Sequence, residues 1–96
     1  MASILGMDIR SVFGKNLRRY RLAASLSQEA VAERMGVDRA HVSSMERGQQ
    51  NVTLLTLWQA AQALGCRAMD FLDEEAVSRS APGTAAKAPR RKRTKS

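Results

Sequence analysis

The stretch Leu26-Ser-Gln-Glu-Ala-Val-Ala-Glu-Arg-Met-Gly-Val-Asp-Arg-Ala-His-Val-Ser-Ser-Met-Glu-Arg-Gly48 decides the fold. It predicts two short helices, because Ser27 and Asp38 are typical N-cap residues and each precedes apolar residues at helical spacing. Gly36 ends the first of these helices in a left-handed conformation, and Gly48 ends the second. The residues expected to face inward are Ala30, Val31, Met35, Val42 and Met45.

A tight glycine-containing turn between two short helices is the geometric signature of a helix-turn-helix. In this motif the second helix is held out to enter the major groove of DNA. Ala32 is small where the two helices are expected to cross, because a larger side chain would force them apart. The outward side of residues 39–47 is therefore the candidate DNA-reading surface.

The same stretch resembles the helix-turn-helix of Cro and the phage repressors, the XRE family. The resemblance lies in Leu-Ser-Gln at 26–28, in Ala32 and Gly36, and in the ending Glu-x-Gly at Gly48, and it extends from about Phe13 to Leu72. It implies an all-α, five-helix, lambda-repressor-like DNA-binding domain. It also implies a transcriptional regulator that binds a palindromic operator as a homodimer.

Apolar periodicity predicts three further helices around the motif. Their expected bounds are about Asp8 to Ala24, Thr53 as N-cap to Gly65 as stop, and about Ala68 to Val77. The last is expected to bury Met69 and either Leu72 or Phe71. The apolar stripes of the other two are Ile9, Val12, Phe13, Leu17 and Tyr20, and Leu54, Leu57, Ala61 and Leu64.

Charge divides the chain unevenly. All nine acidic residues and nine of the sixteen basic residues lie at positions 1–75, where their charges cancel. The net charge of +7 therefore comes from residues 76–96, which carry the other seven basic groups. From Ser78 onward Ala, Pro, Gly, Ser, Thr and basic residues replace the periodic apolar pattern, a composition that cannot bury a core. The predicted divisions are an N-terminal extension at 1–8, the DNA-binding domain at 9–77 and a disordered basic tail at 78–96.

The tail is expected to neutralise DNA phosphates without reading sequence. Each neutralised phosphate adds about 0.9 to the salt dependence of binding. The alternatives are a solubilising end with incidental DNA affinity and a nuclear import signal. The basic residues concerned are Lys87, Arg90, Arg91, Lys92, Arg93 and Lys95.

The sequence lacks the residues that several other classes of protein require. Cys66 and His41 are the only cysteine and histidine, which excludes an internal disulfide and a zinc finger. No catalytic constellation or phosphate-cradling glycine loop indicates an enzyme, and no cofactor is expected. No apolar run approaches the roughly 20 residues of a membrane span, so we expect a cytoplasmic, nucleoid-associated protein. Met7 stands beside Met1 as an alternative first residue.

The family resemblance also implies site residues. Base contacts fall on Arg39, Ala40 and Ser44, where Arg39 suits guanine O6 and N7 and Ala40 suits a thymine methyl. Ala40 and Ser44 are shorter than the polar residues common in the family, which leaves more of the readout to Arg39 and DNA shape. Expected phosphate contacts are Gln28, His41, Ser43, Arg47 and Asn51. Without a DNA contact, Gln28 would be a polar residue of the helix-cap region, and Arg39 and His41 would be solvated surface residues.

Arg21 and Glu46 are implied to form a partly buried ion pair between the first and third helices. The alternative is two solvated surface charges, which would contribute under about 1 kcal/mol to stability. Cys66 occupies a place where the pattern expects a small apolar core residue, so we expect an inert thiol.

A homodimer needs an apolar surface outside the core. Trp58, together with Phe71 and Val77, is a candidate for this surface. The alternative is that Trp58 lies in the core.

A competing hypothesis for the whole chain is a protein-binding role, as the antitoxin of a toxin pair or as a factor bridging to the transcription machinery. Co-purification from the native host separates these hypotheses.

Overall fold

The computed structural model describes residues 8–79 of the chain. These residues form five α-helices and one 3-10 helix with no strand among them, which confirms the all-α fold. The elements are α1 (Ile9–Ala23), α2 (Gln28–Met35), α3 (Arg39–Glu46), α4 (Leu54–Leu64), the 3-10 helix (Ala68–Leu72) and α5 (Glu74–Arg79). The tail residues from Lys87 to Lys95 lie outside the described residues.

Local hydrogen bonds set the starts of the helices. Side-chain oxygens of Asp8, Ser27 and Thr53 accept from backbone N–H groups two or three residues later, at 2.8, 2.9 and 3.0 Å. The predicted caps at Ser27 and Thr53 are therefore confirmed. Asp38 holds the N-cap position of α3, but its side chain makes no capping hydrogen bond. After α2, Gly36 has the predicted left-handed conformation, with φ 76°.

The core is built around an aromatic cluster that joins the two ends of the domain. Phe71 is fully buried, and its ring meets those of Phe13 and Tyr20 edge to face, with centroids 5.6 Å apart in both pairs. The sequence left open whether Phe71 or Leu72 is buried, and the structure shows that it is Phe71. The buried residues packed with this cluster are Leu17, Val31, Ala32, Met35, Val42, Met45, Leu57, Ala60, Ala61 and Ala63.

The prediction of one fifth helix from Ala68 to Val77 is wrong. The segment is a 3-10 helix followed by α5, and it breaks at Asp73, whose backbone is extended. The buried Asn16 amide donates to the carbonyl oxygens of Phe71 and Asp73, at 2.9 and 3.2 Å. The Asp73 carbonyl also accepts from the backbone N–H of Val77 at 3.4 Å, as the first hydrogen bond of α5. The Oδ1 of Asp73 accepts from the backbone N–H of Ala76 at 3.0 Å and so caps α5. A local cap and contacts from α1 therefore hold the bend together.

Some residues predicted to be inside lie at the surface. Met69 is 62% exposed, so its predicted burial is wrong. Ile9 and Leu54 were expected in apolar stripes, yet both are exposed, Leu54 at 84%. Each stands in the first turn of its helix, and periodicity fixes the face of a helix but not how far along it the core extends.

Residues expected at a dimer surface also need correction. Phe71 and Val77 are buried, because the 3-10 helix and α5 pack against α1. They belong to the core and are not available to a partner. Trp58 is 55% exposed, so it is not a core residue.

Candidate nucleic-acid interface

The third helix is docked directly on the backbone of α1. A Cβ atom added at Gly14 would lie 2.3 Å from the carbonyl oxygen of Met45 and 2.7 Å from that of Glu46. Only a glycine permits this approach, because the obstructing atoms are backbone and not the end of a flexible side chain. Sequence reasoning missed this contact. A glycine inside a strongly periodic helix was the available signal, since such a residue costs about 1 kcal/mol against Ala.

Arg21 and Glu46 form a two-point ion pair beside this contact. The Nε of Arg21 donates to Oε2 of Glu46 at 2.6 Å and Nη2 donates to Oε1 at 3.1 Å. A third bond runs from Nη1 of Arg21 to the carbonyl oxygen of Leu26, at 3.0 Å. Only 9% of the Arg21 side chain and 4% of the Glu46 side chain are exposed. The pair thus ties α3 to α1 and to the turn that precedes α2.

Gln28 connects this ion pair to the exposed start of α3. Its Nε2 donates to Oε1 of Glu46 at 3.1 Å, and its Oε1 accepts from Nη1 of Arg39 at 3.2 Å. The guanidinium of Arg39 therefore has a defined partner in the free protein. The amide nitrogen of Gln28 still has a second N–H for another acceptor. Sequence reasoning named these residues but did not foresee that they form one network.

The remaining predicted readers lie along the outer side of α3. Arg39 and Ala40 are exposed, whereas His41, Ser43 and Ser44 are half-buried. The Arg47 guanidinium donates to the hydroxyl of Ser43.

Two glutamines after α3 join this surface and were missed at the sequence level. Gln50 Nε2 donates to the hydroxyl of Ser44 at 3.0 Å, and Gln49 Oε1 accepts from Nε of Arg47 at 3.3 Å. Both glutamines lie in the loop that follows α3, where no helical periodicity indicates which way a side chain points.

Asn51 lies in a separate cluster with the start of α1. Its Oδ1 accepts from Nη1 of Arg10 at 3.4 Å, and Arg10 is paired with Asp8 at 2.8 Å. The side-chain hydrogen bond from Arg10, joined by a backbone one, lowers the pKa of Asp8 to about 2. Asp8 is a carboxylate at neutral pH, and its charge offsets that of Arg10. The predicted phosphate contacts thus lie in more than one network.

Within residues 8–79, no group of three or more His, Cys, Asp and Glu side chains is placed to hold a metal ion. No helix in that range is long and apolar enough to cross a membrane.

Cys66 is half-buried, and burial, with the charge of Asp70, raises the pKa of its thiol to about 11.

Comparison with known proteins agrees with this geometry. The family model described as Helix-turn-helix matches residues 17–71, which is more than half of the chain. The chain belongs to the XRE-type helix-turn-helix family. As a member of it, the protein is a DNA-binding transcriptional regulator and not an enzyme.

Relatives within the helix-turn-helix family come from several bacteria. Control protein C.SmaI of Serratia marcescens is 40% identical over 79% of this chain and 90% of its own length. An uncharacterised helix-turn-helix transcriptional regulator, y4dJ of Sinorhizobium fredii, is 46% identical over 62% of this chain and 77% of its own. The crystal structure of the restriction-modification controller protein C.AhdI from Aeromonas hydrophila superposes with a TM-score of 0.63. That superposition has 40% identity and covers 65% of this chain and 94% of C.AhdI.

Proposed function

We propose that this regulator binds a palindromic operator as a homodimer and reads its bases with Arg39, Ala40 and Ser44. The observation that carries the proposal is the exposed guanidinium of Arg39 at the start of α3, held by Gln28 and through it by a buried ion pair. A side chain oriented before binding loses less conformational freedom when DNA binds.

Arg39 supplies most of the direct readout. Its guanidinium can donate two hydrogen bonds to O6 and N7 of a guanine, which discriminates against other bases by about 1–3 kcal/mol. Ala40 is exposed next to it and suits the methyl group of a thymine. The Ser44 hydroxyl, held by Gln50, can meet either base edge.

Phosphate contacts flank this reading surface. We assign them to Gln28, His41, Ser43, Arg47 and Asn51. The free N–H of the Gln28 amide and the open N–H groups of the first turn of α2 suit one phosphate. Arg47 and Asn51 lie near the end of α3 and in the following loop, where they would fix the register of the helix without reading sequence.

The dimer would place two copies of α3 about 34 Å apart, one helical turn of DNA. An apolar surface on α4 supports this arrangement, because Leu55 and Trp58 stand one turn apart and are both exposed. Met69 adds an exposed side chain from the 3-10 helix. Tryptophan and methionine are enriched in such contacts. The buried Phe71 and Val77 are not part of this surface.

Selection of binding sites from random duplexes, at one fixed salt concentration, tests the proposal. The parent chain should enrich a site with two inverted halves. Arg39→Ala should reduce discrimination at one base pair in each half by roughly 5- to 150-fold. The matched control is Arg67→Ala, which removes an exposed arginine on the 3-10 side of the domain and should leave the selected site unchanged.

Two results would contradict the proposal. One is a selected site with a single unrepeated half, which rules out the symmetric dimer. The other is unchanged discrimination in Arg39→Ala and Ser44→Ala while removal of residues 87–95 abolishes all binding. That second result would reduce the interaction to charge attraction.

A further inference from the structure

The end of α3 fixes the path of the loop that carries Gln50. The backbone N–H of Gln49 donates to the carbonyl oxygen of Ser44 at 3.0 Å, and that of Gly48 donates to the carbonyl oxygen of Met45 at 3.0 Å. Gly48 has φ 75°. These two bonds around a left-handed glycine form the Schellman motif, which reverses the chain at the end of a helix. The reversal returns Gln50 toward the last turn of α3.

The same turn is packed against α1. A Cβ atom added at Gly48 would lie 3.0 Å from Oγ and 3.2 Å from Cα of Ser11. Because the Cα atom belongs to the backbone of a helix, it cannot move aside as a flexible side chain can. The loop after α3 therefore starts from a fixed position, and Gln50 follows two residues later.

The carboxamide of Gln50 is attached to the reading surface. Its Nε2 donates to Oγ of Ser44 at 3.0 Å, which is the hydrogen bond that this side chain makes within residues 8–79. Ser44 lies one turn after the exposed Ala40 on α3. A carboxamide has two N–H groups and one acceptor oxygen. One N–H and Oε1 of Gln50 are therefore left for another molecule.

We propose that Gln50 is a further base-reading residue, which contacts an adenine in the major groove through this N–H and Oε1. A carboxamide can accept from N6 and donate to N7 of adenine at the same time. The bond to Ser44 needs only one N–H, so both contacts can form together. Ser44 lies roughly 7.5 Å from Arg39 along the axis of α3, at 1.5 Å per residue. Base pairs are spaced by roughly 3.4 Å, so Gln50 reads about two base pairs away from Arg39.

The neighbouring Gln49 is held in a different way. Its Oε1 accepts from Nε of Arg47 at 3.3 Å, and its side chain is exposed. Arg47 is a proposed phosphate contact, so Gln49 accompanies a group that fixes register and carries no sequence information. The two adjacent glutamines therefore form a matched pair for an experiment.

Selection from random duplexes at one fixed salt concentration tests the assignment, which rests on the proposed operator binding. The full-length parent should select adenine at one position in each half-site. Gln50→Ala should reduce that preference by roughly 5- to 150-fold. The matched control, Gln49→Ala, should leave the preference at every position unchanged.

Gln50→Glu separates base reading from mere support of Ser44. The variant keeps the length of the side chain but loses both N–H groups, and a carboxylate accepts from N4 of cytosine. We expect the selected base at that position to change from adenine to cytosine. A side chain that only oriented Ser44 would not change which base is selected there.

Three results would overturn the assignment. One is unchanged preference in Gln50→Ala while Arg39→Ala loses its own base pair, which leaves operator binding intact. Another is an equal fall in affinity for all duplexes in Gln50→Ala, which indicates a phosphate contact. The third is a loss confined to the base pair that Ser44→Ala affects, with no cytosine selected by Gln50→Glu, which indicates a positioning role. A parent chain that selects no sequence overturns both proposals.

Discussion

The helix-turn-helix and the C-terminal part of the domain are held to α1 in different ways. Backbone contact at Gly14 and the buried pair Arg21–Glu46 brace α3, with Gln28 extending the pair to the surface. From α4 onward the contacts are mainly apolar, apart from the hydrogen bonds that the Asn16 amide donates to Phe71 and Asp73, and Trp58 is left facing solvent. The reading surface is thus fixed by directional contacts, whereas the other end keeps an apolar face that suits association.

Breaking the buried ion pair should have the largest effect. Glu46→Ala leaves the Arg21 guanidinium buried without its anion, and we expect it to lower the free energy of unfolding by about 3–5 kcal/mol. Arg21→Ala should cost a similar amount, because it leaves the Glu46 carboxylate buried. Urea unfolding followed by circular dichroism measures both, provided that the slope with denaturant is unchanged.

An exposed pair provides the matched control for this experiment. Arg67 is 74% exposed and its Nη2 lies 3.7 Å from Oδ1 of Asp70. Removing it should cost under about 1 kcal/mol, because solvent screens such pairs. Equal losses for Glu46→Ala and Arg67→Ala would show that the Arg21–Glu46 pair does not brace α3 as its burial indicates.

The close approach at Gly14 should give the next largest effect. Gly14→Ala would gain about 1 kcal/mol from helix propensity in an exposed position. Here the new Cβ meets backbone oxygens, so α3 must move, and we expect a net loss of about 1–3 kcal/mol. Lys15→Ala, at the neighbouring exposed position, should stay within about 0.5 kcal/mol. A stabilised Gly14→Ala would contradict the observed packing.

Local chemistry explains why much of the fold was predictable. Ser27 and Thr53 cap their own helices, and Gly36 ends one, so each boundary depends on a few neighbouring residues. The break near Asp73 depends both on hydrogen bonds from Asn16, more than fifty residues away in sequence, and on the Asp73 side chain, which caps α5. Asp73 followed by Glu74 and Glu75 is a local signal for a new helix start, and sequence reasoning missed it when it predicted a continuous fifth helix.

In the candidate site, too, the sequence named individual residues but not the contacts between distant ones. Family resemblance named Arg21, Glu46, Gln28 and Arg39, but only the folded chain brings the four into one network. Gly14 carries no functional group, so reasoning from chemistry passed over it. Its role comes from the distance between two backbones, and periodicity cannot give that distance.

The smallest effect on the stability of the fold should come from the apolar face of α4. Leu55→Ser/Trp58→Ser removes two exposed side chains, so the helical content of the monomer should be unchanged. If this face joins two copies, the variant should remain monomeric in sedimentation at concentrations where the parent is a dimer. Leu22→Ser, on α1, is the matched control and should dimerise like the parent. Operator affinity should then fall for the variant and recover when two copies are joined by a flexible linker, because linkage restores the effective concentration that the interface supplied. A variant that still dimerises would place the interface elsewhere and leave the exposed Trp58 without a partner in this assembly.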